Sequence, residues 1–255
     1  MVPEVVVLGI PIQTFGFFFG LNFVVWGALA ARRFKELGKP VDWAYELVFV
    51  ALAGGLVGAK LWWLLDERGS LSLDGVFSGT GLTWYGGLLG GVLTVLVWAR
   101  RRGFLNLQLA DTAAFCLSLG YAVGRIGCQV SGDGDYGVPA PGLPWAMPYP
   151  DGTVPTLAEV HPTPIYETLA MGLAAYALWR LRDRVRPGVL FALYLVLAGI
   201  ERFLVEFVRR NEDVLVSLTQ AQVLSIAMIG AGALWLAYLA VRRGGLGAGP
   251  QVAPA

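Results

Sequence analysis

Arg125 stands where the apolar run 107–123 gives way to a polar, glycine-laced segment, GRIGCQVSGDGDYG, residues 124–137. A guanidinium at such a boundary is costly to keep unless something uses or satisfies it. A second arginine, Arg202, lies four residues before Glu206 in GIERFLVEFVRR, so the two share a helix face and can pair. The planar guanidinium fork binds phosphate or carboxylate oxygens two at a time. The chemistry on offer is therefore a grip on an anion, with Glu206 holding Arg202 in place. Each arginine also has a plain structural reading. Arg125 can be a helix-end cation reaching for the interface, and Arg202–Glu206 can be an ion pair that ties a helix end down.

The stretch after Arg125 sharpens the first reading. Gly127, Gly132, Gly134 and Gly137 allow tight backbone and close approach of a ligand. Asp133 and Asp135 either orient the arginine or cap turns, and Tyr136 belongs to the same motif. In TWYGGLLGG, residues 83–91, Tyr85 opens an apolar run. It is either an interfacial anchor or a contact for a ligand. Gly86 and Gly87 behind it permit close approach of a helix or a lipid. Lys60 follows the small-residue surface GGLVGA, suited to close helix packing. In HPTPIYE, residues 161–167, Thr163 is expected as an N-cap and Pro164 in the first helical turn. His161 can titrate near neutral pH. Tyr166 and Glu167 follow on the helix, where Glu167 needs a polar partner.

The elements that must position these residues are set by composition. The 255-residue chain is 56% hydrophobic and 15% charged, with mean hydropathy +0.62. Soluble domains are about 45–50% apolar and about 25% charged, so the bilayer is the expected solvent. The net charge of +1 offers no footprint for nucleic acid. Cys116 and Cys128 are too few for a disulfide framework and lack metal-type neighbours in sequence. His161 is the single histidine, which excludes a multi-histidine metal site. No metal and no cofactor are expected. The opening MVPEVVVLGIPIQ has no basic stretch, so the first apolar run is expected as a retained span rather than a cleaved signal.

Seven apolar runs, 12–31, 45–65, 84–99, 107–124, 164–179, 187–205 and 219–241, are long enough or nearly so to cross a bilayer. They are too long and too continuously apolar for barrel strands, so the fold expected is all-α. Thirteen of the 19 Lys and Arg fall in alternate connections, after the first, third, fifth and seventh runs. The intervening connections carry Asp66, Glu67, Asp74, Asp133, Asp135, Asp151 and Glu159, with Arg68 as an ordinary loop residue. The positive-inside rule then puts the N-terminus outside and the C-terminus in the cytoplasm. Residues 1–241 are expected to form one transmembrane domain, with the outer loop 125–163 in the site region, and 242–255 a flexible cytoplasmic tail. The polar residues that do not belong in lipid gather on the outward side from at least four spans. That pattern points to a site for an anionic lipid headgroup in the outer leaflet.

The order of GGLLGG, GRIGC…GDGDYG, HPTPIYE, ERFLVEFVRR and QVLSI resembles the prolipoprotein diacylglyceryl transferase family over about residues 10–240. The resemblance implies seven transmembrane helices with the N-terminus outside, in the bacterial inner membrane. It implies transfer of the diacylglyceryl group of phosphatidylglycerol to the lipobox cysteine thiol of a prolipoprotein, with glycerol phosphate leaving. The family's signature arginine falls on Arg125, its second arginine on Arg202 and the following glutamate on Glu206. Its basic residue in the second span falls on Lys60, and its His-Pro and Tyr-Glu positions on His161, Tyr166 and Glu167. Gly86, Gly87, Gly132, Asp133, Asp135, Tyr136 and Gly137 are then expected around the substrate. The chain departs from the family where a common histidine is Tyr85, an aromatic hydroxyl is Phe15, and an asparagine is Cys128. GDGDYG also carries one extra residue, with the motif's acidic position on Asp133.

On this reading a thiol with a pKa of about 8.5 must be deprotonated, and Arg125 and Arg202 offset charge on the departing phosphate. Tyr85, with an unperturbed pKa of about 10, is a weak base unless a cation acts on it. His161 is better matched in pKa, and the base stays unassigned. A transporter or flippase for an anionic lipid, and a non-enzymatic scaffold, are the rival classes.

Overall fold

Each of the seven apolar runs carries one α-helix in the computed structural model, which describes residues 1–7, 9–66, 83–211, 213–215 and 218–247. These are α1 (Thr14–Glu36), α2 (Asp42–Asp66), α3 (Trp84–Arg101), α4 (Leu107–Ser131), α5 (Thr163–Leu181), α6 (Val189–Val205) and α7 (Gln220–Arg243). Among the described residues three antiparallel two-stranded sheets pair β1 (Glu4–Val7) with β2 (Ile10–Gln13), β3 (Met147–Tyr149) with β4 (Thr156–Val160), and β5 (Asp213–Leu215) with β6 (Leu218–Thr219). Glu67, Arg68 and Asp74 of the second connection, and the tail from 248 onward, lie outside the described residues.

Four helices, α1, α2, α4 and α7, are long and apolar enough to cross a membrane. Their outer faces carry side chains that water would not tolerate in such numbers. Phe49 is 71% exposed, Leu234 74% and Val241 81%. Helices have no hydrophobic drive toward one another in lipid, so close backbone approach and hydrogen bonds must hold them together.

The chain forms two compact units, Gly27–Leu109 and Met1–Trp26 with Ala110–Ala255. In the first, α2 and α3 cross on glycines. A Cβ on Gly58 would stand 2.8 Å from the Gly90 Cα, which no side chain permits. The Thr94 hydroxyl bridges the crossing by donating to the Val50 carbonyl at 2.8 Å. At the far end Glu46 accepts from Trp98 Nε1 and Arg102 Nε, each at 2.8 Å.

In the second unit α6 packs on α7 at Gly199, where a Cβ would come 2.8 Å from Ile229 Cγ1. Buried Asp111 on α4 accepts from the backbone N–H groups of Gly188 at 2.7 Å and Phe191 at 3.0 Å. It thereby satisfies the first turn of α6 from outside the helix. A capping box closes the start of α7. Gln222 N donates to Thr219 Oγ1 at 3.2 Å and Thr219 N to Gln222 Oε1 at 3.1 Å.

Two local expectations are corrected. The fourth run does not end at 124; α4 continues to Ser131 and carries Arg125 inside it. The extra turns are satisfied, since Gln129 Oε1 accepts from the Tyr149 hydroxyl at 2.8 Å and the Val130 carbonyl from Val2 N at 2.9 Å. Gly127 lets this part of α4 approach α1, where a Cβ would meet Phe18 Cβ at 2.8 Å. Thr163 is not the N-cap of α5, a place taken by Pro162. The Thr163 hydroxyl is engaged instead, donating to the Asp135 carbonyl at 2.5 Å.

Gly58→Leu is expected to force α2 from α3, since overpacking costs about 1–3 kcal/mol where neighbours can yield and more where backbone is struck. Thermal unfolding in detergent should show a lower transition than Gly172→Ala gives, because a Cβ at Gly172, in the helical backbone of α5, has nothing within 4 Å.

Candidate functional site

Glu167, one turn into α5, has a side chain with no exposure to solvent and lies among three guanidinium groups. Its Oε2 lies 2.6 Å from Arg125 Nε. Its Oε1 lies 3.3 Å from Arg202 Nη1 and 3.3 Å from Arg209 Nη1. Burying an ionised carboxylate is tolerable only with such partners. The Arg125 contact has the distance of an ion pair but not the angle of a hydrogen bond.

Asp135 forms the second node. It pairs with Arg125 Nη1 and, through Oδ1, with Arg209 Nη2 at 2.6 Å. Burial alone would raise the Asp135 carboxyl, but Arg125 and Arg209 outweigh it and hold the group below the usual carboxylate range. Asp133 has a local role: its Oδ1 accepts from Asp135 N at 3.3 Å and shapes the turn. Gly132 and Gly134 beside it have φ of +60° and +95°, so this turn suits glycine.

Glu206 forms the third node. Its Oε2 lies 2.8 Å from Arg202 Nη2 across one helical turn, and its Oε1 accepts from Asn211 Nδ2 at 2.6 Å. After Val205 the helix tightens into a 3-10 turn, Glu206–Val208, and Arg209 is extended with φ −86° and ψ 168°. That exit turns Arg209 back toward Asp135 and Glu167. Arg125 is also held by the Tyr121 hydroxyl, 3.2 Å from Nη2.

The structure thus joins Arg125, Asp135, Glu167, Arg202 and Glu206 in one network. It leaves the other expected residues in neighbouring settings. Tyr136 stacks on Tyr149 at 4.7 Å between ring centroids and carries the Arg210 guanidinium 4.4 Å over its ring. Gly137 lies where a Cβ would stand 3.0 Å from His161 Cβ. His161 Nδ1 is 3.2 Å from the Tyr166 hydroxyl, which also accepts from Trp145 Nε1 at 2.7 Å. Lys60, Tyr85, Gly86 and Gly87 belong to the unit Gly27–Leu109. There Lys60 Nζ sits 4.6 Å over the Trp63 ring, Tyr85 is 42% exposed, and Gly86 and Gly87 pack against α2.

Arg209 is an outlying cation near an apolar segment to which the motifs assign no role. The signal was present, since it follows Arg202 by seven residues and Glu206 by three in ERFLVEFVRR. Two cavities flank the network. One of about 330 Å³ is lined by Gly134, Tyr136, Arg209, Arg210 and Asn211. The other, of about 450 Å³, lies between Trp145, His161, Tyr166, Glu201, Leu204 and Val208, with Ala170 and Val205. Cys128 does have metal-type neighbours in space, within 4.8 Å in Asp133 and Asp135. Arg125 and Arg209 occupy Asp135, however, and their charge disfavours a cation there.

Asp135→Asn should destabilise the fold by about 1–2 kcal/mol, below the range for a fully buried pair because 34% of the side chain is exposed. A carboxyl held low in the folded state stabilises above its unfolded pKa, and that contribution is lost as pH falls through the folded value. Melting curves in detergent should separate wild type from Asp135→Asn at pH 7 and converge as the pH falls through the folded value of Asp135, which lies below the usual carboxylate range.

Residues 3–238 match the family model described as prolipoprotein diacylglyceryl transferase. A phosphatidylglycerol–prolipoprotein diacylglyceryl transferase of Dehalococcoides mccartyi is 32% identical over 83% of this chain and 84% of its own length. The enzyme of that name from Acinetobacter baumannii is 30% identical over 98% of this chain and 96% of its own. One from Clostridium tetani is 28% identical over 87% and 90%. No solved structure matches the chain. With apolar spanning helices and a match over nearly its whole length, this multi-pass membrane protein belongs to the prolipoprotein diacylglyceryl transferase family.

Proposed function

We propose that this chain transfers the diacylglyceryl group of phosphatidylglycerol to the thiol of a prolipoprotein's lipobox cysteine. The product is a thioether, and glycerol phosphate is released. The observation that carries the site assignment is the meeting of Arg125, Arg202 and Arg209 on the one buried carboxylate of Glu167. Three guanidinium groups held that close repel one another unless anions lie among them. The N–H groups not spent on Glu167, Asp135 and Glu206 remain for phosphate oxygens. Arg202, whose side chain is 24% exposed against 15% for Arg125, is the more open of the two family arginines.

Sulfur attacks the glyceryl carbon, the C–S bond forms, and the C–O bond to phosphate breaks with its electron pair on the leaving oxygen. Charge on the phosphate rises as that bond breaks. Prearranged arginines stabilise this change without reorganising at the moment of reaction. Glu206, braced by Asn211, fixes Arg202; Glu167 and Asp135 fix Arg125 and Arg209. Tyr85 contacts the headgroup or the thiol, and Lys60 adds positive charge to the substrate's surroundings. Gly132, Asp133, Tyr136, Gly137, His161 and Tyr166 line the approach of lipid and peptide, while Gly86 and Gly87 hold the start of α3, with Tyr85, against α2. The polar pocket beside Arg209 and Arg210 is suited to the glycerol end of the headgroup. The seven runs cross the bacterial inner membrane with the N-terminus outside, which sets this cluster toward the outer leaflet.

The test is the mass of a lipobox peptide incubated with the purified protein and phosphatidylglycerol vesicles. A diacylglyceryl adduct is expected from wild type. Lipid redistribution without adduct would favour a flippase instead. Arg125→Ala should abolish the adduct while the protein still inserts, since losing one transition-state donor costs about 10²–10³ in rate and the change also removes a partner that positions Glu167 and Asp135. Near-normal lipidation by that variant would reject the role. Tyr85→Phe should lower kcat by up to about tenfold, the worth of a neutral hydrogen bond; unchanged kinetics would leave Tyr85 an interfacial anchor.

A further inference from the structure

Among the carboxylates of this unit, half-buried Glu201 stands apart. Glu167 and Glu206 each have an oxygen against a guanidinium. Glu201 forms no ion pair among the described residues, and its buried Oε1 has no hydrogen-bond partner there. A carboxylate can accept on both oxygens, and leaving a buried one unpaired is costly. Such a group is unlike a structural ion-pair member; it is an acceptor without a donor.

Its position supplies a donor's place. Glu201 precedes Arg202 on α6, about 100° around the helix. Arg202 turns to Glu167, and Glu201 lines the cavity of about 450 Å³ with His161, Tyr166 and Trp145. That volume falls in the range of small-ligand sites. Its remaining walls, Ala170, Leu204, Val205 and Val208, are apolar. The cavity therefore fits a guest with a small apolar body and one weak proton donor. A cysteine side chain with its neighbouring residues has that character. The cavity also shares α5 and α6 with the arginine network, so a sulfur held in it lies beside a phosphate held by Arg202.

We propose that Glu201 receives the proton of the incoming thiol. This rests on the transferase reading above and names the group that it left unassigned. The S–H bond breaks with its proton passing to the Glu201 carboxylate. The freed sulfur pair forms the C–S bond while the C–O bond to phosphate breaks. The leaving glycerol phosphate gains one negative charge, offset by the arginines, and the proton on Glu201 returns to it or to solvent. The charged groups acting on Glu201 are Glu167, Arg202, Arg125 and Arg209, with His161 and Tyr166 across the cavity.

The experiment compares two lipobox peptides, one with cysteine and one with selenocysteine, whose selenol is ionised at neutral pH and needs no acceptor. Both are offered to wild type and to Glu201→Gln, which keeps size and shape, in single-turnover assays with phosphatidylglycerol. Loss of a general base costs about 10²–10⁴, so Glu201→Gln should be at least about 100-fold slower on the cysteine peptide. It should run close to wild type on the selenocysteine peptide, and Glu201→Asp should recover part of the cysteine rate. Equal losses on both peptides would overturn the proposal by showing a structural role, and no loss on either would overturn it directly. No adduct from wild type would instead reject the transferase reading itself.

Discussion

The carboxylate of Glu167 is the constraint around which the rest is arranged. It carries no solvent exposure and faces Arg125 from α4, Arg202 from α6 and Arg209 beyond the 3-10 turn. In a low-dielectric setting neither the carboxylate nor the guanidinium groups are tolerable alone. Together they hold three separate chain segments at fixed distances from α5. The apolar helix faces tolerate many substitutions of similar size, whereas this node requires particular charges at particular places.

Holding cations close together has a chemical consequence. Asp135 and Glu206 each satisfy part of a guanidinium, and Asn211 and Tyr121 fill further positions. An arrangement built only for stability would need fewer ionisable groups, since well-packed apolar residues often do as well as a buried ion-pair network. Retaining six charged side chains between apolar helices fits a site that meets a charged guest. The guest that a phosphatidylglycerol-using family handles carries such a charge on its phosphate.

The supporting helices are assembled by a different principle. Gly54 and Gly58 on α2 face Gly86 and Gly90 on α3, and Gly199 on α6 faces Ile229 on α7. Backbones at these crossings come too close for a Cβ, which maximises dispersion contacts where lipid supplies no hydrophobic drive. Thr94 adds a hydrogen bond across one crossing and Asp111 caps α6 across another. Within the second unit the α6–α7 crossing holds the helix that carries Arg202, and well-supported elements are what a charge cluster needs to keep its geometry.

The apolar runs alone are enough to locate the seven α-helices found among the described residues, because runs of that length and continuity favour a helix. The sequence also singles out Arg125, Arg202, Glu206 and Glu167, since charge inside apolar sequence is rare and Arg202–Glu206 is a local spacing. The end of α4 is not legible in the sequence because polarity at 124–131 resembles a loop, while the partners that satisfy it, Tyr149 and Val2, lie far away along the chain. For the same reason the motif's acidic position falls on Asp133, which only shapes a turn, whereas Asp135 pairs with two arginines through contacts 10 and 74 residues distant. Only the tertiary structure decided that Arg209 joins the cluster, that Glu167 is its centre, and that Glu201 faces a cavity rather than a cation. Periodicity reports what neighbours along one helix share, whereas electrostatic partners chosen across the fold depend on where each chain segment ends and turns.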